Sequence, residues 1–126
     1  MVKQHVLDAI KSDELAVYAV WEPILRTDDE RSSRKAVTLF PDRRVRNYWV
    51  GSQAVGEMFQ HPILLENEPA WDVYLVYPPE VKWDTDAAPR PQYFMHQLGG
   101  RLPDSLSLDG PTLALEINRI LTTAKH

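Results

Sequence analysis

A short apolar segment near the N-terminus limits the fold more than any other feature of the chain. Residues 15–21 read LAVYAVW, with no charged side chain among them. A brief apolar run rich in β-branched and aromatic residues is typical of a strand buried on both faces of a sheet. Pro23 limits the extension of this strand, because proline cannot donate to a strand ladder. The segment therefore predicts a sheet that is covered on both sides.

Helical and strand patterns alternate along the rest of the chain. Apolar spacing, capping residues and proline boundaries predict four helices and three further strands. The helices cover residues 2–12, 27–40, 52–61 and 109–124, and the strands cover residues 44–50, 70–77 and 93–98. This order predicts one α/β domain over residues 1–126 with a mixed sheet. The last two strands should pair antiparallel, because the final helix comes only after both of them.

The charge of the chain argues against a nucleic-acid partner. Lys and Arg number 14 against 18 Asp and Glu, which gives a net charge of −4, whereas nucleic-acid-binding domains are usually basic. Residues 26–46 are an exception, with seven basic and four acidic side chains. We interpret this basic segment as a solvated helix with internal ion pairs followed by a basic turn. Binding of an acidic partner is the alternative.

Two absences in the sequence exclude further classes of protein. No segment reaches the roughly 18 apolar residues of a membrane helix, and residues 1–14 lack the apolar region of a signal peptide. We therefore expect a cytoplasmic protein with no membrane contact. The chain also has no cysteine, which excludes disulfides, zinc–thiolate sites, iron–sulfur clusters and a thiol nucleophile of its own.

Three segments carry a resemblance to a known superfamily. They are VYAVWEPIL at residues 17–25, RVRNYWV at 44–50 and PAWDVYLVY at 69–77. Together with the order of elements, they resemble the thioredoxin fold, and specifically a group of bacterial thioredoxin-like proteins. The resemblance implies a three-layer α/β/α domain. It also implies a cis-proline at Pro69, for which a trans proline at the start of a strand is the alternative.

The resemblance implies that a redox motif is missing. In the superfamily a Cys-x-x-Cys turn precedes the helix that residues 2–11 would form here, because a helix N-terminus stabilises a thiolate. The motif and the strand before it would lie upstream of Met1. That strand is central in the family's sheet, so its loss would leave backbone groups unpaired. Either residues 44–50 fill the space, or a second copy covers the exposed sheet edge and forms a homodimer.

Few side chains suggest a site. Asp72 interrupts an apolar strand, and we expect it to form a structural ion pair with Arg46 if it is buried and to need no partner if it faces water. An aromatic cleft for a peptide or a small apolar ligand is a weaker hypothesis. It would be lined by Pro69, Ala70, Trp71 and Trp21.

Metal and catalytic motifs are not visible in the sequence. The four histidines do not share helical spacing, and we expect each to face solvent or to cap an element. The acidic residues Asp84, Asp86, Glu66 and Glu68 lack the glycine and final glutamate of a calcium loop.

These features favour a structural or binding module with no redox activity, no cofactor and no catalytic residues. The protein or peptide partner is not specified by the sequence. The alternative function is a truncated thiol–disulfide oxidoreductase whose Cys-x-x-Cys lies upstream of Met1.

Overall fold

The fold is known from a computed structural model that describes residues 3–22, 42–66, 68–83 and 87–124. The strands are β1 (Val17–Trp21), β2 (Val45–Trp49), β3 (Val73–Val76) and β4 (Tyr93–His96). The α-helices are α1 (Ala54–Met58) and α2 (Gly110–Ala124), and shorter helical turns occur at Lys3–Leu7 (π) and Asp104–Leu106 (3-10). The mixture of helices and strands confirms the α/β class.

The strands form two separate sheets within the described residues. β1 and β2 pair in parallel, with Val17 opposite Val45 and Trp21 opposite Trp49. β3 and β4 pair antiparallel, with Val73 opposite His96, as expected from the late position of the final helix. The prediction of one mixed sheet is wrong for these residues, because no ladder joins the parallel pair to the antiparallel pair. Residues 44–50 extend the β1 side and do not bridge the two sheets.

The β3–β4 sheet has an apolar cluster on each side. The first cluster joins the N-terminal π turn, β4 and α2; its buried members are Val6, Ile10, Met95, Leu113 and Ile117. The second cluster lies under the loops around β3 and β4; its buried members are Ile63, Leu65, Ala70, Leu98 and Leu102. Apolar burial of this kind supplies most of the driving force for folding. The well-packed part of the molecule is therefore centred on β3, β4 and α2.

The N-terminal helix is shorter than the sequence predicts. The π turn Lys3–Leu7 is followed by turns, although Ile10 still donates to the Val6 carbonyl at 2.8 Å. The guanidinium of Arg44 stabilises residues 7–12, because it donates to the carbonyls of Leu7, Ile10 and Ser12. A charged side chain therefore satisfies carbonyl oxygens that a longer helix would pair internally.

The C-terminal helix begins and packs as its sequence predicts. The Asp109 carboxylate accepts the backbone N–H of Thr112 at 3.0 Å and also contacts the Thr112 hydroxyl, which is a standard N-cap arrangement. These bonds lower the pKa of Asp109 from its ordinary value. Leu113, Ile117 and Ile120 of α2 are buried, so the predicted apolar stripe faces the core.

One histidine departs from the sequence expectation. His96 is completely buried and is neither solvent-facing nor a cap. Its Nδ1 accepts the Leu98 N–H at 3.0 Å, and its Nε2 lies 2.7 Å from the Pro103 carbonyl oxygen. This pattern fits a neutral imidazole that donates from Nε2 and accepts at Nδ1. The burial is tolerated because both ring nitrogens are paired.

Several predictions lie outside the described residues. They are the helix at 27–40, much of the basic segment 26–46, the acidic residues Asp84 and Asp86, and His126.

Candidate functional site

The outward face of the β1–β2 sheet carries large exposed side chains. Tyr18 and Val20 of β1 point to this face and are 63% and 43% exposed. Arg46 and Tyr48 of β2 point to the same face, and Tyr48 is 47% exposed. We call these four residues the aromatic face. Exposed clusters of large apolar side chains are a common mark of interaction sites.

The two tyrosines of the aromatic face contact each other. The rings of Tyr18 and Tyr48 stack with centroids 6.4 Å apart and an interplanar angle of 22°. They occupy diagonal positions, because Tyr18 is opposite Arg46 and Val20 is opposite Tyr48 in the ladder. Cross-strand aromatic pairs stabilise a sheet. The face therefore presents two positioned rings beside one exposed cation.

The aromatic face borders a strand edge that no described strand occupies. Val17 donates to the Arg44 carbonyl at 3.0 Å, and Val50 donates to the Trp21 carbonyl at 2.9 Å. In a parallel ladder the backbone groups of alternate residues point to the same neighbour, so Val17, Ala19 and Trp21 bond to β2. The N–H and C=O groups of Tyr18 and Val20 consequently point to the opposite edge, where no described strand pairs with them. We call this the β1 edge.

Glu22 follows β1 and reaches the start of helix α1. Its Oε1 accepts the Gly56 N–H at 2.8 Å, while its Oε2 is buried and has no hydrogen-bond partner among the described residues. Burial raises the pKa of Glu22, and the backbone bonds from Gly56 and Val55 oppose this effect. A carboxyl with one unpaired buried oxygen is costly to ionise. Nothing in the sequence pattern marked this residue, because its partner lies 34 positions away.

Pro69 and Ala70 pack against the same helix. The Ala70 N–H donates to the Gly56 carbonyl at 2.8 Å. A Cβ added at Gly56 would lie 2.6 Å from the Ala70 carbonyl oxygen and 3.0 Å from Pro69 Cβ. Glycine is therefore required here by close backbone approach. No peptide bond among the described residues is cis, so Pro69 follows a trans bond, which corrects the expectation drawn from the resemblance.

The two tryptophans of the predicted aromatic cleft have separate local partners. The Trp21 indole N–H donates to Asn47 Oδ1 at 3.0 Å, across the β1–β2 pair. The Trp71 indole N–H donates to Glu68 Oε1 at 3.4 Å. Both indole nitrogens thus have hydrogen-bond partners within their own part of the fold. A ligand cleft between these residues stays a prediction.

The expected ion pair between Asp72 and Arg46 is not formed. Asp72 is exposed and lies directly before β3 with a φ of 49°, a left-handed conformation that aspartate tolerates better than most residues. Arg46 is exposed on β2, in the other sheet. The ion pairs among the described residues do not include these two side chains. Since Asp72 faces solvent, its charge needs no protein partner.

Two arginines at the described end of the basic segment pair with acidic side chains of the protein itself. Arg44 is paired with Asp42 at 2.8 Å, and Arg43 is paired with Asp13 at 2.6 Å. The part of the chain that the structure describes contains no group of three or more side chains suited to hold a metal ion. It also contains no helix long and apolar enough to cross a membrane.

Comparison with known proteins leaves the chain without a match. No protein-family model matches it, no curated protein matches it, and no solved structure matches it. The case for a function therefore depends on the geometry of the aromatic face and the β1 edge.

Proposed function

We propose that this chain is a binding module without redox chemistry, which accepts an added β-strand along the β1 edge. One observation carries the proposal. Tyr18 and Val20 combine exposed side chains on the aromatic face with backbone donors and acceptors to which no described strand bonds. Proteins that recognise extended peptides use this combination, because main-chain bonds supply affinity and alternate side chains supply specificity.

The form of the sheet supports strand addition. β1 and β2 are each five residues long and form a two-stranded parallel sheet. Two strands alone are marginally stable in water, and parallel sheets are usually larger and buried. A third strand would pair the free groups of Tyr18 and Val20 and extend the sheet. Natural proteins usually protect such an edge, so an edge without a described neighbour favours a binding role.

We propose a thioredoxin-like domain as the scaffold of this module. The α/β order, the antiparallel β3–β4 pair and the helix α2 that follows it support this assignment. The position of Pro69 shortly before β3 also agrees with it. The absence of cysteine means that the chain's own residues supply no thiol for disulfide exchange.

Removal of one backbone donor tests strand addition. In Val20→Pro the N–H that points to the free edge is lost, while no bond of the β1–β2 ladder is broken, and proline is accepted on edge strands of this kind. Val20→Ala is the matched control, because it shortens the side chain and keeps the donor. The probe is a displayed library of unstructured peptides about 12 residues long, enough to form one strand.

We expect the wild type to retain peptides with alternating apolar residues, Val20→Ala to retain them with lower affinity because it loses only side-chain contact, and Val20→Pro to lose them. A thermal melt of each variant checks that the fold survives. The proposal is overturned if a folded Val20→Pro retains the same peptides as the wild type. It is also overturned if the wild type retains no peptide and no second copy of itself.

A further inference from the structure

We infer that the strand added at the β1 edge is β1 of a second copy, paired antiparallel about a two-fold axis at Ala19. This inference rests on the proposed function, because it uses the same edge and names its occupant. The result would be a continuous sheet in the order β2, β1, β1, β2. Such an isologous interface uses the same patch on both subunits.

The backbone of the β1 edge is complementary to itself. Antiparallel pairing about Ala19 places Tyr18 opposite Val20 of the second copy, and Val20 opposite Tyr18 of the second copy. Both residues direct N–H and C=O toward the free edge, so each meets a residue with which it can exchange both hydrogen bonds. This register also overlaps the whole of Val17–Trp21 with itself, because Ala19 is its central residue. Registers centred on other residues leave part of each strand unpaired.

The side chains fit the same register. On the aromatic face each Tyr18 ring would lie beside the smaller Val20 of the second copy. Aromatic and β-branched residues in directly opposed positions stabilise antiparallel strand pairs relative to alanine. At the axis itself the residue is Ala19, whose small side chain avoids crowding between the two directly opposed copies. Large and small side chains therefore alternate across the interface.

The charges of the aromatic face do not oppose this arrangement. Its charged residue, Arg46, lies on β2, which becomes an outer strand of the combined sheet. The two copies of Arg46 would be at least three strand spacings apart, roughly 14 Å, which exceeds the Debye length of about 8 Å at physiological salt. At the ends of the strands, Ala16 would lie opposite Glu22 of the second copy, so no two like charges are directly opposed there.

The size of the interface sets the expected affinity. A five-residue strand is about 17 Å long, so a single strand pair with its tyrosines buries less than the roughly 1,000 Å² of a stable interface. The dimer should therefore be weak, with a Kd of about 10 µM. A dimer of this affinity is populated only at protein concentrations of tens of micromolar, so the measurements use that range.

A single cysteine reports the two-fold axis directly, because the chain has no other cysteine. In the inferred register Ala19 faces Ala19 of the second copy as a non-hydrogen-bonded pair, with Cα atoms about 4.5 Å apart. This separation allows a disulfide. Tyr48→Cys is the matched control on the same sheet, because its two copies would be roughly 14 Å apart.

Purified Ala19→Cys and Tyr48→Cys are oxidised at about 50 µM, well above the expected Kd, and separated on a non-reducing gel. We expect most of Ala19→Cys to form a covalent dimer and Tyr48→Cys to stay monomeric. Sedimentation equilibrium of the wild type should show a reversible dimer that Val20→Pro weakens at least tenfold. A wild-type monomer at these concentrations, or equal cross-linking of both cysteine variants, overturns the inference. Peptide capture by a monomeric wild type would overturn the dimer alone and leave the proposed function standing.

Discussion

Replacement of Arg44 by Met is the sharpest test of how the N-terminal region is held. The Arg44 side chain is only 9% exposed. Its guanidinium donates to the carbonyls of Leu7, Ile10 and Ser12, and it also binds both oxygens of Asp42. Methionine keeps most of the aliphatic length and removes every one of these donors. The carbonyls would then have to find water or stay unpaired.

The expected loss of stability follows from these contacts. A hydrogen bond to a charged group contributes about 1.5–3 kcal/mol net. The carbonyls lie near exposed residues, so water replaces part of the lost hydrogen bonding in the variant. We therefore expect the free energy of unfolding to fall by about 3 kcal/mol in total. For a chain of 126 residues, an unfolding entropy of about 2.1 cal/mol/K per residue converts this into a Tm decrease of about 10 °C. Arg44→Lys should restore less than half of the lost stability, because an ammonium group does not have the planar set of N–H donors that a guanidinium has.

The neighbouring residue supplies the control. Arg43 carries the same side chain, pairs with Asp13 at 2.6 Å and is 81% exposed. Exposed ion pairs contribute less than about 1 kcal/mol, so Arg43→Met should melt within about 4 °C of the wild type. Differential scanning calorimetry measures both variants at pH 7 and under the same salt. Equal losses in the two variants, or a wild-type Tm in Arg44→Met, would show that the guanidinium does not hold these carbonyls.

Three further predictions concern ionisation and close packing. Hydrogen bonds from Arg44 lower the pKa of Asp42 to about 2. The ionised carboxylate therefore contributes fully to stability above its ordinary pKa of 3.8, and this contribution is lost as the pH falls through 2. The stability of Asp42→Asn, measured by urea unfolding, should lack this acid dependence. Burial raises the pKa of Glu22 above its ordinary value of 4.5. The free energy of unfolding should therefore be highest below pH 4.5 and should fall as the pH rises through the raised pKa, where the buried carboxyl ionises. Glu22→Gln should remove that fall and shift the urea midpoint upward at pH 7. Gly56→Ala should cost about 1–3 kcal/mol by overpacking. Gly51→Ala is the control, because an added Cβ there meets no atom within 4 Å, and it should leave the Tm nearly unchanged.

Local patterns in the sequence account for the four strands and the C-terminal helix α2 of the described residues. Alternation in RVRNYWV places Arg46 and Tyr48 on one face, and the structure shows both exposed there. The helical spacing of Leu113 and Ile117 predicts a buried stripe on α2, and both side chains are buried. These successes depend only on periods of about two and 3.6 residues, which any strand or helix imposes on its own side chains.

The candidate site was missed because it depends on the number of neighbours that a strand has. The run LAVYAVW predicts burial on both faces, yet Tyr18 and Val20 are exposed, since β1 has one described partner strand and one open face. Composition alone does not distinguish a strand at the centre of a sheet from an equally apolar strand at its edge. Glu22 was missed for a related reason, because its unpaired oxygen results from packing against α1 across a long separation in sequence.

The stability of the N-terminal region and the proposed binding edge depend on the same residue. The backbone carbonyl of Arg44 accepts the Val17 N–H that begins the β1–β2 ladder, while its side chain holds the carbonyls that precede β1. Both contacts fix the register between the strands. Since side chains and backbone groups alternate with the same period of two, a slip by one residue would turn Ala19 outward and Tyr18 inward. The hydrogen bonds of Arg44 therefore determine which residues of β1 combine an exposed side chain with backbone groups that can bond to a partner.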